Sequence, residues 1–430
     1  MKASHENIIF KVHNKYYDLT TFDHPGGPIA LKAANGRDAT VLFESHHQFS
    51  DRDKLFQVMK KYEISKEIGM QCLLPCEDKK NMYFDWNETL NSPFVLECKT
   101  KVFQYFQNIA EKKNIEITEA IKADEQKWIE FYLLFSFVIN YFYKWLQGEW
   151  DAVLLLPVFY WLAGSMFHDG SHFSVSTDWK INYYIQYLFY WVSSPFEWLH
   201  EHIIGHHCYT NILFGDPDLQ HASGQIQFLE EQIQGVNNQE KFVIYSAPFF
   251  IFPTLNLKNS LLLLITNWYN GCVYKIPTSN KRQFIHFLSR IYYILLYHGL
   301  PFYLFPWYKA FIFSTVPSMI ISTLFVLNSM VNHIHKETLN NPINKNWFIH
   351  QIEGSCNFGG LIHYYTSIGL NYQIEHHLFP SVNSCHFRGI QPIIQEICKK
   401  YGVKYNKKSG YREALIGVYD LLKNVSKKNN

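Results

Sequence analysis

Charge is scarce in this chain: 18% of its 430 residues are Asp, Glu, Lys or Arg, and the formal net charge is +2. That gives no sign of a broad basic surface to neutralise phosphates, so no nucleic-acid partner is expected. Paired cysteines are lacking too. The eight cysteines are scattered, and Cys72 and Cys76 lie four apart with no second pair. Nothing resembles a disulfide framework, so a reducing, cytosolic environment is expected. The first 20 residues are polar and carry no apolar run, so no secretory signal peptide is expected there. What the chain has instead is aromatic: 29 Tyr, 35 Phe and 11 Trp, concentrated in charge-poor stretches as at a membrane–water interface. The length leaves room for more than one domain.

Histidine is gathered into boxes. His200 to Asn211 reads His-Glu-His-Ile-Ile-Gly-His-His-Cys-Tyr-Thr-Asn, with four imidazoles in eight residues. That density asks for a metal. In an α-helix His202 and His206 share one face, and His207 points about 100° round. The theme recurs as His168-Asp-Gly-Ser-His172 and as Gln373-Ile-Glu-His376-His377. Together His168, His172, His202, His206, His207, His376, His377 and Gln373 exceed the four ligands of a closed zinc site, which implies two open-coordinated metals. Asp169 and Glu375, adjacent to ligands, are candidates to orient imidazoles by accepting their other N–H. Asp216-Pro217-Asp218 reads as a turn that can support box two. His200 matches no box position and is read as a supporting group, and His363, among aromatics, as a satisfied buried histidine.

Residues 7–65 mix charged and apolar positions and look soluble. They contain His24-Pro25-Gly26-Gly27, then Gly36-Arg-Asp38-Ala39-Thr40, then Phe43-Glu-Ser-His46-His47. The two glycines allow a tight backbone beside a histidine that must face a flat ring closely. A histidine 22 or 23 residues on can supply the opposite axial ligand of a six-coordinate haem suited to electron transfer. The segment resembles the cytochrome b5 family through these motifs. The resemblance implies haem b held by His24 and His47, the latter standing where b5 domains fused to desaturases carry theirs, with His46 as the alternative.

Residues 66–126, with Pro75 and Pro93, read as a charged tether with juxtamembrane helices. Residues 131–146 and 152–167 are apolar and, with flanking aromatics, approach the ~20 residues of a spanning helix. They predict a helical hairpin with His168 at its exit. Residues 291–307 lack Lys, Arg, Asp and Glu, Lys309 intervenes, and residues 310–331 are charge-free, predicting a second hairpin before box three. Two spans precede box one and four precede box three, so both open to one face. Lys122, Lys127 and the basic tail after residue 398 mark that face as cytosolic. Residues 183–199 and 242–257 read as lying along the interface or folding back into it. The terminal Lys427-Lys428-Asn429-Asn430 resembles a dilysine retrieval signal, which implies an endoplasmic-reticulum membrane protein with both termini cytosolic.

The ordered set of three boxes on this frame resembles the membrane fatty-acid desaturase superfamily. Gln373 in place of a histidine, within Gly369-Leu-Asn-Tyr-Gln-Ile-Glu-His-His-Leu-Phe-Pro380, looks like the front-end desaturases, which also carry a fused b5 domain. The resemblance spans nearly the whole chain. It implies a multi-domain membrane protein: a small α+β cytochrome b5-like domain (7–65), a linker (66–126) and an all-α transmembrane desaturase domain (127–430). The last has about four spanning helices in two hairpins, interfacial helices and a cytosolic histidine-box cap. It implies O2-dependent insertion of a cis double bond between an existing one and the carboxyl end of a polyunsaturated acyl lipid or acyl-CoA. Two non-haem irons would do the chemistry, with electrons from NADH-cytochrome b5 reductase relayed through the haem. The superfamily often adds a ligand after the last span, where His333 is favoured over His335. The Ser171-His-Phe-Ser174 run looks more like delta-5 members than delta-6 or delta-4 ones. Rival readings are a b5-fused sphingolipid long-chain-base desaturase, a fatty-acid hydroxylase, and a non-catalytic membrane haem electron carrier.

Overall fold

The computed structural model describes residues 7–74, 84–189, 191–232, 234–266, 280–339 and 342–428. Pro75, Cys76 and the terminal Asn429-Asn430 lie outside them.

The amino-terminal domain is built on three short antiparallel strands, Ile9–Val12 paired with Lys15–Asp18 and that with Glu63–Ile64. Phe10, Val12, Tyr17 and Leu19 turn inward onto Leu31 and Met59. Helices Pro28–Ala34, Thr40–His46 and Arg52–Lys60 cover the core. The Asp38-Ala39-Thr40 triplet has a local structural job. Asp38 Oδ1 accepts from the Thr40 N–H at 3.1 Å, and Thr40 Oγ1 accepts from the His13 N–H at 2.7 Å, tying a helix start to the sheet.

Helix Pro93–Lys113 buries Phe94, Cys98, Val102, Phe106 and Ala110 along one stripe, the period-3.6 pattern of a helix laid against a core. It packs on helix Phe387–Tyr401 and so ties the linker to the carboxy-terminal part.

Glu125–Gln147 and Asp151–Ser171 pack along each other. They are joined at Gly148, whose φ of 76° is readily adopted only without a side chain. The second pair rises through Asn280–Tyr293, Ile294–Gly299 and Leu300–Leu304 and returns through Trp307–His333. Among the described residues, Asp151–Ser171 and Trp307–His333 are long and apolar enough to cross a membrane by themselves. Gln239–Phe249 and Thr254–Ile265 pass that test only as a pair bent by 73°. Glu125–Gln147 has the length, but Glu125, Lys127, Glu130 and Lys144 interrupt its apolar face. Leu133, Tyr132, Tyr143, Phe302, Tyr303 and Trp307 are exposed, an apolar outer surface with aromatic edges that suits a bilayer.

Two lysines on the side of the boxes are held by fixed oxygen partners. Lys127 is buried, with Nζ 3.1 Å from Ser165 Oγ and 3.0 Å from Tyr364 OH. Lys122 Nζ donates to the Phe173 carbonyl at 2.8 Å. Lys127 braces the helix turn ahead of box one and Lys122 the residue after it, because a desolvated ammonium needs fixed oxygen partners.

The amino-terminal domain sits against box two. Ile29, Ala33 and Leu42 pack on Leu199, Ile203 and Ile204. At Gly27, φ is 82° and an added Cβ would fall 2.4 Å from the Trp179 ring. Position 27 therefore tolerates no side chain while the domain is seated.

Candidate functional site

Box two is not an ordinary α-helix. Leu199–His206 winds as a π-helix, and the His207 N–H bonds the carbonyl of His202, five residues back. The wider turn changes which histidines face one another. His202 and His207, five apart, bring their Nε2 atoms to 3.2 Å, whereas His206 is turned to a different group. An α-helix would have paired His202 with His206. Gly205 makes room for the distortion: a Cβ there would lie 2.4 Å from Pro217.

Two clusters result. His168, His172, His202 and His376 form one, and His206, His333 and His377 the other, with ligand-capable atoms within 4.8 Å of one another in each. In the first, the Nε2 atoms of His168 and His202 stand 3.0 Å apart, and the His172 and His376 ring centroids are 4.6 Å apart. His207 lies between the clusters, 4.4 Å from the His172 ring, 4.5 Å from His376 and 4.2 Å from His377. Gln373 joins the second: its Nε2 is 2.9 Å from His333 Nε2 and 3.0 Å from His377 Nε2. Its Oε1 is buried without a partner among the described residues. The two ends of a side-chain amide exchange by a simple flip, so an oxygen can face the same point.

Each histidine of the second cluster is held through Nδ1, leaving Nε2 to point inward. His206 Nδ1 donates to Asp216, His377 Nδ1 to Gln351 Oε1 at 2.8 Å, and His333 Nδ1 to the Gly354 carbonyl at 3.0 Å. Fixing one ring nitrogen sets the tautomer that leaves the other free for a metal. Thr210 Oγ1 sits 3.1 Å from His377 Nδ1 and donates to Gln351 Oε1 at 2.9 Å.

Electrostatics agree with the geometry. Burial first, and then the neighbouring imidazoles, drive the pKa values of His172, His202, His207, His376 and His377 well below the usual range. These rings are neutral and able to donate lone pairs. Burial also opposes the charged form of His206, but Asp216 and Asp218 outweigh it and push its pKa up to about 9. The carboxylates thus favour positive charge at that spot, whether a proton or a metal ion supplies it. Among the described residues, both nitrogens of His172, Nε2 of His376 and Nδ1 of His207 are buried with no hydrogen-bond partner. Unpaired polar atoms at such depth are costly, and metal ions would satisfy those aimed inward. The residues fit two ions.

Among the other groups singled out from the sequence, Glu375 accepts from Asn357 Nδ2 at 2.6 Å and from Tyr405 OH at 2.6 Å, so its partners are not imidazoles. Asp169 Oδ2 accepts from Ser384 Oγ at 2.7 Å, and its Oδ1 stands 3.8 Å from His168 Nδ1, beyond hydrogen-bond reach. His200 packs against Phe196, apart from both clusters. His335 Nε2 donates to the Val331 carbonyl at 2.6 Å and takes no part. His363 Nε2 accepts from the Tyr411 N–H at 3.4 Å. Sequence reasoning missed Gln351, Thr210 and Gly354, none of which carries a distinguishing spacing.

In the amino-terminal domain His24 and His47 face each other, ring centroids 5.9 Å apart. Two imidazoles on opposite sides of one metal, with bonds of about 2 Å each, need roughly that separation. His47 Nδ1 donates to the Phe43 carbonyl at 2.9 Å, freeing Nε2. His46 is turned away, with Nδ1 3.1 Å from the Leu42 carbonyl. The His24–His47 pair fits an axially ligated haem.

A cavity of about 480 Å3 opens beside the second cluster, reaching His206 and His333 and walled by Phe242, Phe249, Phe250, Phe325 and Met330.

Residues 128–409 match the family model described as fatty acid desaturase, and residues 2–66 match the cytochrome b5-like heme/steroid binding domain. The chain is 28% identical to the acyl-lipid (8-3)-desaturase of Mortierella alpina over 95% of this chain and 91% of that one. It is 26% identical to a probable delta(5) fatty acid desaturase C of Dictyostelium discoideum over 98% and 93%. It is 27% identical to a sn-1 linoleoyl-lipid 6-desaturase of Synechocystis over 66% and 86%.

Proposed function

Because the chain belongs to the fatty acid desaturase family and carries a cytochrome b5-like domain ahead of it, we propose that it is a front-end acyl-lipid desaturase. It inserts a cis double bond between an existing one and the carboxyl end of a polyunsaturated acyl chain. One observation carries the reading: three boxes far apart in sequence close into two adjoining clusters of buried imidazoles. The reaction takes two hydrogens from neighbouring methylenes and consumes O2, two electrons and two protons, giving a double bond and two waters. Iron held there supplies the oxidant that an unactivated C–H bond requires.

The chain's own groups do the rest. His168, His172, His202 and His376 would hold one ion, and His206, His333, His377 and Gln373 the other, with His207 between. Asp216, Gln351 and the Gly354 carbonyl keep three rings in the binding tautomer. The apolar cavity beside His206 and His333 lies within the 300–1,000 Å3 typical of ligand sites and takes the acyl chain out of water. His24 and His47 would hold haem b, a one-electron carrier suited to relaying electrons from NADH-cytochrome b5 reductase. We place four spans in the bilayer, Glu125–Gln147, Asp151–Ser171, the rods between Asn280 and Leu304, and Trp307–His333. The boxes and both termini then face the cytosol at the endoplasmic reticulum. Delta-5 selectivity is supported by the relative named for delta(5) activity, and the relatives named (8-3)- and 6-desaturase are its competitors.

The test is to incubate membranes containing the protein with NADH and polyunsaturated acyl-lipid and acyl-CoA substrates, then analyse products by mass spectrometry. The expected product has one more double bond, on the carboxyl side. A hydroxylated product, or turnover of sphingoid bases only, would overturn the proposal.

A further inference from the structure

The amino-terminal domain is joined to the histidine clusters by a contact that the family assignment does not specify. Gln48, the residue after His47, donates through Nε2 to the Leu378 carbonyl at 2.6 Å. Leu378 is the residue after His377. The next residue on each side repeats the pairing: Phe49 stacks on Phe379 with ring centroids 5.6 Å apart and planes within 5°. Phe379 is fully buried, and Phe106 backs Phe49 at 6.1 Å. A second bond from Gln48 Nε2 to the Ser45 carbonyl, at 3.1 Å, fixes the amide so that it cannot swing away. Two consecutive residues beyond His47 thus meet two consecutive residues beyond His377, in order. Neither pair belongs to a cluster or to the His24–His47 crevice.

We propose that this Gln48–Leu378 and Phe49–Phe379 seam is the built-in electron-transfer contact of the molecule, with Gln48 a positioning residue for the transfer. The inference rests on the desaturase reading above. From the haem ligand His47 to His377 the route runs along covalent bonds except at one short hydrogen bond. At each passage the haem gives up one electron and the histidine-held iron pair is reduced by one. Two passages, with two protons, O2 and two hydrogens of the acyl chain, balance the formation of the double bond and two waters. Fusion makes the encounter intramolecular. The seam then fixes its geometry, so that recharging by the external reductase, not docking of the domain, becomes the slow diffusive event.

The experiment uses the full-length enzyme carrying haem and iron. Its haem is first reduced, then mixed rapidly with O2 and acyl substrate, and reoxidation is followed at the Soret band. In Gln48→Leu and in Phe49→Leu we expect reoxidation about tenfold slower or more, as misplacement by an ångström can cost. Haem content, Soret position and haem midpoint potential are expected to stay as in the parent. Hydrogen exchange of the 45–50 and 377–379 amides, slow in the parent, should quicken in both variants. Parent-like reoxidation in both variants, or free exchange of those amides in the parent, would overturn the seam. If the parent forms product and the variants reoxidise at its rate, only the seam fails. A parent that forms no product points to the desaturase reading instead, and the exchange result then decides whether the seam exists.

Discussion

Nδ1 of His206 donates to both carboxylate oxygens of Asp216, at 3.2 and 3.1 Å. Asp216 Oδ2 also accepts from the Asn211 N–H at 2.8 Å, so the carboxylate is locked in place. An imidazole held this way keeps Nε2 toward His333 and His377. Asp216→Asn should weaken iron retention by about 10–100-fold, the usual cost of losing such a partner. Iron per haem, measured after desalting against a chelator, is expected to fall with the Soret band unchanged. Full iron retention would mean that Asp216 serves the fold alone.

Gln373 tests the second cluster from the other side. Gln373→Ala should lower both iron content and product formation, since it removes the amide that meets His333 and His377. Gln373→His, which restores a strong donor, should keep the iron and change the rate. Iron and activity both at parental levels in Gln373→Ala would remove this position from the ligand set.

The haem ligands separate cleanly in a three-variant comparison. His24→Ala and His47→Ala should abolish the Soret band and leave non-haem iron in place, whereas His46→Ala should keep the band. The orientation of His46 toward the Leu42 carbonyl is the reason for that difference. A lost band in His46→Ala with a retained one in His47→Ala would reverse the assignment.

Glu197 gives a pH prediction. Burial, and after it the neighbouring Glu201, pushes its carboxyl up to about 8, while Ser260 Oγ donates to Oε2 at 3.1 Å. The folded value lies above the unfolded one, so its contribution to stability is complete below about pH 4.5 and declines until about pH 8, by up to about 1.4 kcal/mol per unit. Glu197→Gln removes that decline. The unfolding midpoint of the variant should therefore exceed the parent's at pH 7–8 and approach it at pH 5. Identical pH profiles would contradict a raised Glu197.

The parts of this site that depend on local spacing are legible in the sequence. The three boxes, the His24-Pro-Gly-Gly turn and His333 at the end of a charge-free run are all short-range patterns, and these histidines are the ones the fold gathers. The phase of box two is not legible there. Whether residues 199–206 wind with an α or a π turn depends on Pro217 packing at Gly205 and on the clusters themselves, and a helical wheel contains neither. Nor could the sequence supply Gln351, Thr210 or Gly354, because side-chain amides, hydroxyls and backbone carbonyls are everywhere and only the tertiary fold selects three. The enclosure of Lys127 is hidden for a related reason: its serine and tyrosine partners come from other helices.

The bare face of Gly27 against the Trp179 indole means that the donor module and the catalytic body are cut to one outline. Grafting a foreign haem module whose loop carries even a methyl at this place would lever the two bodies apart. Every gap an electron must cross would widen with it, however well the newcomer folded or bound its own pigment. Chimeras should therefore exchange residues 27 and 179 as a matched set.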